Sequence, residues 1–161
     1  ALCCDLVVMA DDAEIGYMPT RVWGCPTTAM WVYRLGAEGA KRMLLTGDRI
    51  DGREAERIGL VHKTVPPAEL DTYVENLAAR ISTVPTNQLM MQKLVINQAI
   101  DAMGLANTQM MATVFDGITR HSPEGMNFKH RAEDMGWKQA VRERDLGTYD
   151  WTNNRPINPK R

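Results

Sequence analysis

The residues whose types and spacing could do chemistry gather between Tyr17 and Pro26. Tyr17, Met18, Thr20, Arg21, Trp23 and Pro26 put aromatic rings, a hydroxyl, a thioether and a guanidinium on one loop. The loop leaves a strand and enters a helix at Thr27, the kind of connection that often lines a pocket. Cys25 has no histidine near it in sequence, so it reads as a packing thiol rather than a nucleophile. Asp5 opens an apolar run and reads as a turn or cap residue rather than a base. His62, His121 and His130 are scattered, with no metal-ligand spacing. No glycine-rich phosphate loop of either common pattern is present. Lys41-Arg42 and the run Arg142-Glu143-Arg144-Asp145 read as solvated helix faces.

Composition bounds the partners. The chain has 161 residues, 44% hydrophobic and 24% charged, enough for one domain with a real core. A formal net charge of -1 argues against nucleic-acid binding through overall positive charge. Cys3 and Cys4 are adjacent and no C-x-x-C pair exists, so the three cysteines form no secreted disulfide framework. A reducing cytoplasm is the expected compartment. No apolar run approaches the ~20 residues of a membrane span. The chain opens on the apolar Ala1-Leu2-Cys3-Cys4, without an initiator Met or a signal peptide. It therefore reads as a piece of a longer protein, cut inside a folded element and expected to be inactive alone. The eleven methionines, several on expected helices, read as adaptable core packing or an oligomer face.

The elements that must position the loop follow from periodicity. Residues 5–10 (DLVVMA) read as a buried strand, Asp11-Asp12 as a turn and residues 13–17 as a second strand ended by Pro19. Thr27-Thr28 can cap a helix over 29–35, closed by Gly36, and residues 37–45 form another. Residues 43–65, MLLTGDRIDGREAERIGLVHKTV, then carry clear local folding signals. Gly47 suits a helix C-terminus, Asp51 with Glu54 makes a capping-box-like start, Gly59 stops that helix, and a short strand runs up to Pro66. Beyond Pro67 the pattern is helical over 68–81, then 87–103 with Thr86 as cap, 105–119, a helix opened by Ser122-Pro123 and a last one over 137–144. From Gly147 the chain reads as an extended tail. A sheet of two or three strands cannot bury both its faces, so further strands are expected from elsewhere.

The stretch LTGDRIDGREAERIGLV, followed by a basic residue, a short apolar run and Pro, closely resembles the enoyl-CoA hydratase/isomerase (crotonase) family. The likeness extends to the opening ALCCD, to AEIGYMP and, more weakly, to SPEGMNFKHRAEDMGWKQAVRERD. The resemblance implies an α/β fold: a partial crotonase-like ββα spiral followed by a C-terminal helical trimerisation region. It implies that this chain is the C-terminal portion of such an enzyme. Residues 1–66 would be spiral core, 67–146 a helical oligomerisation region and 147–161 an extended tail. The implied substrate is an acyl-CoA thioester of fatty acid metabolism. Coenzyme A is then part of the substrate, with no separate cofactor and no metal. The implied assembly is a homo-trimer or dimer of trimers, without nucleic acid or membrane.

Family members hold the thioester oxygen with two backbone N–H groups as an enolate develops, while Glu or Asp side chains move protons beside it. Both N–H groups and one hydratase glutamate are expected upstream of Ala1. The second hydratase glutamate corresponds to Thr20, after Pro19, and no acid occurs from Tyr17 to Leu35. A threonine hydroxyl is too weak an acid to stand in for a carboxylate base near neutral pH. An isomerase, hydrolase or lyase of the family therefore fits at least as well as a hydratase. The alternative is a non-catalytic crotonase-like subunit or fragment that binds CoA or assembles oligomers. The resemblance assigns Thr20 to the catalytic position and Phe128 and Lys138 to the adenine and phosphates of CoA. Tyr17, Met18, Arg21, Trp23 and Pro26 would line the substrate site.

Overall fold

The computed structural model describes residues 1–25 and 30–157. Two strand pairs lie within the first 65 residues. Strand β1 (Val8–Ala10) runs parallel to β4 (Lys63–Val65), with Met9 opposite Thr64. Strand β2 (Glu14–Gly16) runs antiparallel to β3 (Arg49–Asp51), with Ile15 opposite Ile50. Both N-terminal strands are shorter than their apolar runs suggest, because only three residues of each find a paired edge. Strand β3 has no sequence signal of its own: one apolar residue, buried Ile50, sits between two exposed charged ones. Its strand state comes from pairing with β2.

Helix α1 (Pro19–Val22) replaces the expected loop, with Pro19 at the first turn, where its missing N–H costs nothing. The Thr27-Thr28 cap lies outside the described residues. Helix α2 (Met30–Thr46) is broken at Gly36, whose φ of 68° and ψ of 176° are non-helical, so the expected pair of helices survives as two segments. Trp31, Ala40 and Met43 of α2 face the main core with Leu2, Val7, Ile50, Ala55, Leu60 and Val61. Arg34 of α2 anchors the chain's first turn by donating to the carbonyls of Leu2 (3.0 Å) and Cys4 (2.6 Å). Guanidinium donors thus satisfy carbonyls that no strand pairs.

Helix α3 (Gly52–Arg57) starts as its sequence suggests, with the Asp51 carboxylate accepting the Glu54 N–H at 2.8 Å. The reciprocal half of a capping box is missing, because the Glu54 carboxylate pairs with Arg57 and Arg42. Gly47 and Gly59 take positive φ at the helix ends where stops are expected.

Glu56 straps α3 to β4. Its carboxylate accepts from Lys63 Nζ (2.6 Å), the Thr64 N–H (2.8 Å) and Thr64 Oγ1 (2.7 Å). These donors, the Lys63 bond foremost, hold it at about 2 against an ordinary 4.5. A carboxyl depressed in the folded state stabilises above its unfolded pKa and loses that contribution as pH falls through the folded one. Glu56→Gln should therefore flatten the acid limb of stability between about pH 5 and pH 2. Urea midpoints of both proteins across that range check this, and parallel curves contradict it.

The remaining helices are α4 (Leu70–Ser82), after a 3-10 turn at Pro67–Glu69, then α5 (Thr86–Ala102), α6 (Leu105–Arg120), α7 (Pro123–Met135) and α8 (Trp137–Asp145). Thr86 is the first residue of α5 rather than its cap; Pro85 holds the cap position and no side chain closes it. Ser122 does cap α7, its Oγ accepting the Gly125 N–H at 3.1 Å. Helices α4, α5 and α6 bury none of their residues and leave Met90, Leu94, Val95, Met111 and Phe115 exposed. Residues 147–157 are not a plain extended tail. They form a hairpin of β5 (Tyr149–Asp150) and β6 (Arg155–Pro156), and Tyr149 is buried against α7 and α8.

Candidate functional site

Helix α1, the start of α7, the end of α8 and the hairpin enclose an open pocket of about 590 Å³. Thr20, Trp23 and Gly24 form one wall, Thr119 and Glu124 a second, Arg144 a third, and Tyr149, Asp150, Trp151, Thr152 and Ile157 close it. An aromatic stack supports the walls. Trp23 lies 5.6 Å from Phe128, Phe128 lies 5.1 Å from Trp151, and Trp151 lies 4.6 Å from Tyr149, measured between ring centroids. Arg131 sits 4.9 Å over the Tyr149 ring and is itself held by Glu143 at 2.7 Å. Trp23 Nε1 donates to the Thr119 carbonyl at 2.7 Å. Gly125 makes this approach possible: a Cβ there would press on the Thr119 carbonyl oxygen and come within 2.9 Å of Trp23 Nε1.

Thr20 lines the pocket, yet its hydroxyl is engaged, donating to the Leu44 carbonyl of α2 at 2.7 Å. Trp23 shares the pocket with it. The other expected residues lie elsewhere. Tyr17 packs against the main core and donates its hydroxyl to the Cys25 carbonyl at 2.6 Å. Met18 holds the N-cap position of α1. Arg21 turns to α8, where its guanidinium pairs with Asp145, the bond that raises its pKa and lowers that of Asp145. Arg21 and Lys138 border a second, shallow hollow of about 450 Å³ beside Trp137. Phe128 is only 5% exposed and sits inside the aromatic stack, so it does not share a pocket with Lys138. Pro26 lies outside the described residues. Cys25 is half-buried, its N–H donates to Asp116 at 3.0 Å, and Asp116 is held below the usual carboxylate range mainly by Arg120.

Sequence reading missed Glu124 and Arg144. Glu124, half-buried, brings a carboxylate to the pocket that Thr20 lines, and Thr152 Oγ1 donates to it at 3.5 Å. Its only sequence signal, an acid in the first turn after Ser122-Pro123, reads as helix-dipole chemistry. Arg144 sits in a charged run that reads as surface, but it is half-buried, and burial lowers its pKa. Among the described residues no three His, Cys, Asp or Glu side chains gather as a metal site. Among them, too, no helix is long and apolar enough to cross a membrane.

The family model described as enoyl-CoA hydratase/isomerase matches residues 1–140. The likeness thus begins at the first residue, and the expected restriction to a C-terminal portion is not borne out. A solved enoyl-CoA hydratase from Mycobacterium smegmatis is 49% identical and superposes with a TM-score of 0.80 over 92% of this chain and 51% of its own. The protein named "Putative enoyl-CoA hydratase EchA13" of Mycobacterium tuberculosis is 31% identical over 99% of this chain and 48% of its own length. The crotonyl-CoA hydratase of Syntrophomonas wolfei is 33% identical over 62% of this chain and 40% of its own. The chain spans about half the length of the curated relatives it matches most fully. The expected α/β architecture, a partial spiral followed by helices, is borne out by the superposition.

Proposed function

Since the chain belongs to the enoyl-CoA hydratase/isomerase family, we propose that it works in an enzyme that processes acyl-CoA thioesters through a stabilised thioester enolate. The observation that carries this reading is the pocket in which Thr20, at the position of a family glutamate, shares its walls with the carboxylate of Glu124. Thr20 contributes shape and a hydrogen bond to α2, not a base. Glu124 supplies the proton-moving group that Thr20 lacks, from a helix far along the chain. The two N–H groups that hold the thioester oxygen come from residues outside 1–161, and coenzyme A is part of the substrate rather than a resident cofactor. The exposed apolar faces of α5 and α6 support assembly into a homo-trimer or dimer of trimers. Two exposed thiols, Cys3 and Cys4, support a reducing cytoplasmic setting.

Calorimetry of the full-length protein with butyryl-CoA, together with turnover of a small enoyl-CoA panel, tests this. Saturable binding and turnover are expected; no binding of any acyl-CoA removes the reading. Thr20→Ala should lower kcat/KM roughly fivefold, the worth of one hydrogen bond of about 1 kcal/mol. Unchanged kinetics would take Thr20 out of the site. A second reading, a non-catalytic subunit that binds CoA, is favoured by the engagement of the Thr20 hydroxyl with Leu44. Turnover of any member of the panel overturns it.

A further inference from the structure

Among the described residues, Arg144 is the cation of the pocket wall, and its neighbour Asp145 attracts it without a direct bond. The neighbouring charged groups are taken or reach solvent: Arg142 of α8 is exposed. Arg131 pairs with Glu143, and Asp145, next to Arg144 in sequence, is taken by Arg21. The Arg144 guanidinium makes no hydrogen bond or ion pair among the described residues, although it is half-buried beside the hairpin. The two carboxylates of the pocket wall accept bonds from the hairpin instead. Asp150 accepts from the Asn153 side chain at 2.8 Å and from its N–H at 3.1 Å, and Glu124 accepts from Thr152. A guanidinium offers five donors in a planar fork, and burying them unmatched is costly. A planar oxyanion satisfies such a fork in bidentate fashion.

We propose that Arg144 is a specificity-determining residue that receives a carboxylate carried by the acyl group of the substrate, so that the preferred substrates are carboxyacyl-CoA thioesters. This rests on the acyl-CoA reading of the pocket. The charge of the walls decides between a carboxylate and the phosphates of coenzyme A. Glu124 and Asp150 stand in the same pocket, and two carboxylates repel a polyanion more than a single negative charge. The surrounding rings of Trp23, Tyr149 and Trp151 suit the short carbon chain that would carry the carboxylate. Six of the pocket's wall residues, Arg144 among them, lie beyond residue 140, where the family model stops. Selectivity of this kind would therefore distinguish members of the family that have this hairpin from those that do not.

The test titrates the full chain with free glutarate, with its neutral diamide and with coenzyme A, following the fluorescence of the tryptophans in the wall. Wild type should respond saturably to glutarate, Arg144→Gln should bind it at least tenfold more weakly, and Arg144→Lys should fall between. Should the Gln variant not fold, the Lys variant carries the comparison. An equal response to the diamide, no response to glutarate, or equal binding by wild type and variant overturns the proposal. An Arg144-dependent response to coenzyme A alone overturns it in favour of phosphate. Calorimetry with glutaryl-CoA and butyryl-CoA separates the two readings. A wild-type preference for glutaryl-CoA that Arg144→Gln cuts tenfold supports both. Glutarate binding with no thioester binding leaves the anion site and removes the acyl-CoA reading. Thioester binding without the preference overturns the carboxylate proposal alone.

Discussion

Glu124→Gln should lower kcat by roughly a hundredfold to ten-thousandfold, the usual worth of a positioned proton-transfer group. The amide keeps the size of the side chain and can still accept from Thr152, which donates to Glu124 at 3.5 Å. Ser122, not Glu124, closes the start of α7, so the helix keeps its cap. The loss should therefore fall on kcat, with KM and the melting temperature little moved. A positioning role would show a different pattern, with KM rising alongside the fall in kcat. Asp150→Asn is the companion variant. Asp150 is held by Asn153 and turned towards its own hairpin, with Arg155 at 3.9 Å, so its replacement should cost far less than that of Glu124. If Glu124→Gln retains full turnover, the proton is moved by a group from outside this pocket, and the assignment of Glu124 fails.

Local signals were legible and distant ones were not. Asp51, Gly59 and Ser122-Pro123 each mark a boundary through chemistry within a few residues, and each boundary stands where the sequence places it. Strand β3 could not be seen, because what makes Arg49-Ile50-Asp51 a strand is the Ile15 side of β2. The hairpin was hidden for the same reason: Tyr149 and Trp151 are tethered by rings on other elements, and two-residue strands leave no periodicity to read. Thr20 and Trp23 were legible as a pair on one loop, whereas Tyr17 and Arg21, with the same kind of chemistry, turn to the core and to α8. Which way a side chain of a short helix faces depends on what packs beneath it. Glu124 and Arg144 reach the pocket only because α7 and α8 fold back over α1, and nothing in the spacing of either announces it.

Phe128→Ala should destabilise the chain by about 3–5 kcal/mol, the cost of deleting a buried aromatic side chain from a packed core. Phe128 is the ring that joins the two halves of the pocket wall, with Trp23 of the α1 side 5.6 Å away and Trp151 of the hairpin 5.1 Å away. Removing it leaves a cavity and also forfeits two aromatic pairs. Besides that stack, the hairpin is held by its two paired positions, the Asn127 amide donating to the Trp151 carbonyl at 2.8 Å, the Thr148 N–H donating to the Glu143 carbonyl at 2.9 Å, Thr152 on Glu124, and Arg131 over Tyr149. Detachment of the hairpin should follow, so tryptophan emission should shift red at denaturant concentrations well below global unfolding. Phe128→Leu keeps most of the volume and should lose less, chiefly the ring pairs. This distinguishes packing from ligand contact. A residue that meets the adenine of CoA would lose affinity on truncation while the urea midpoint stayed put, whereas Phe128, only 5% exposed, should lose stability first. A midpoint unchanged by Phe128→Ala, with weakened CoA binding, would move Phe128 from the wall's support to the ligand itself.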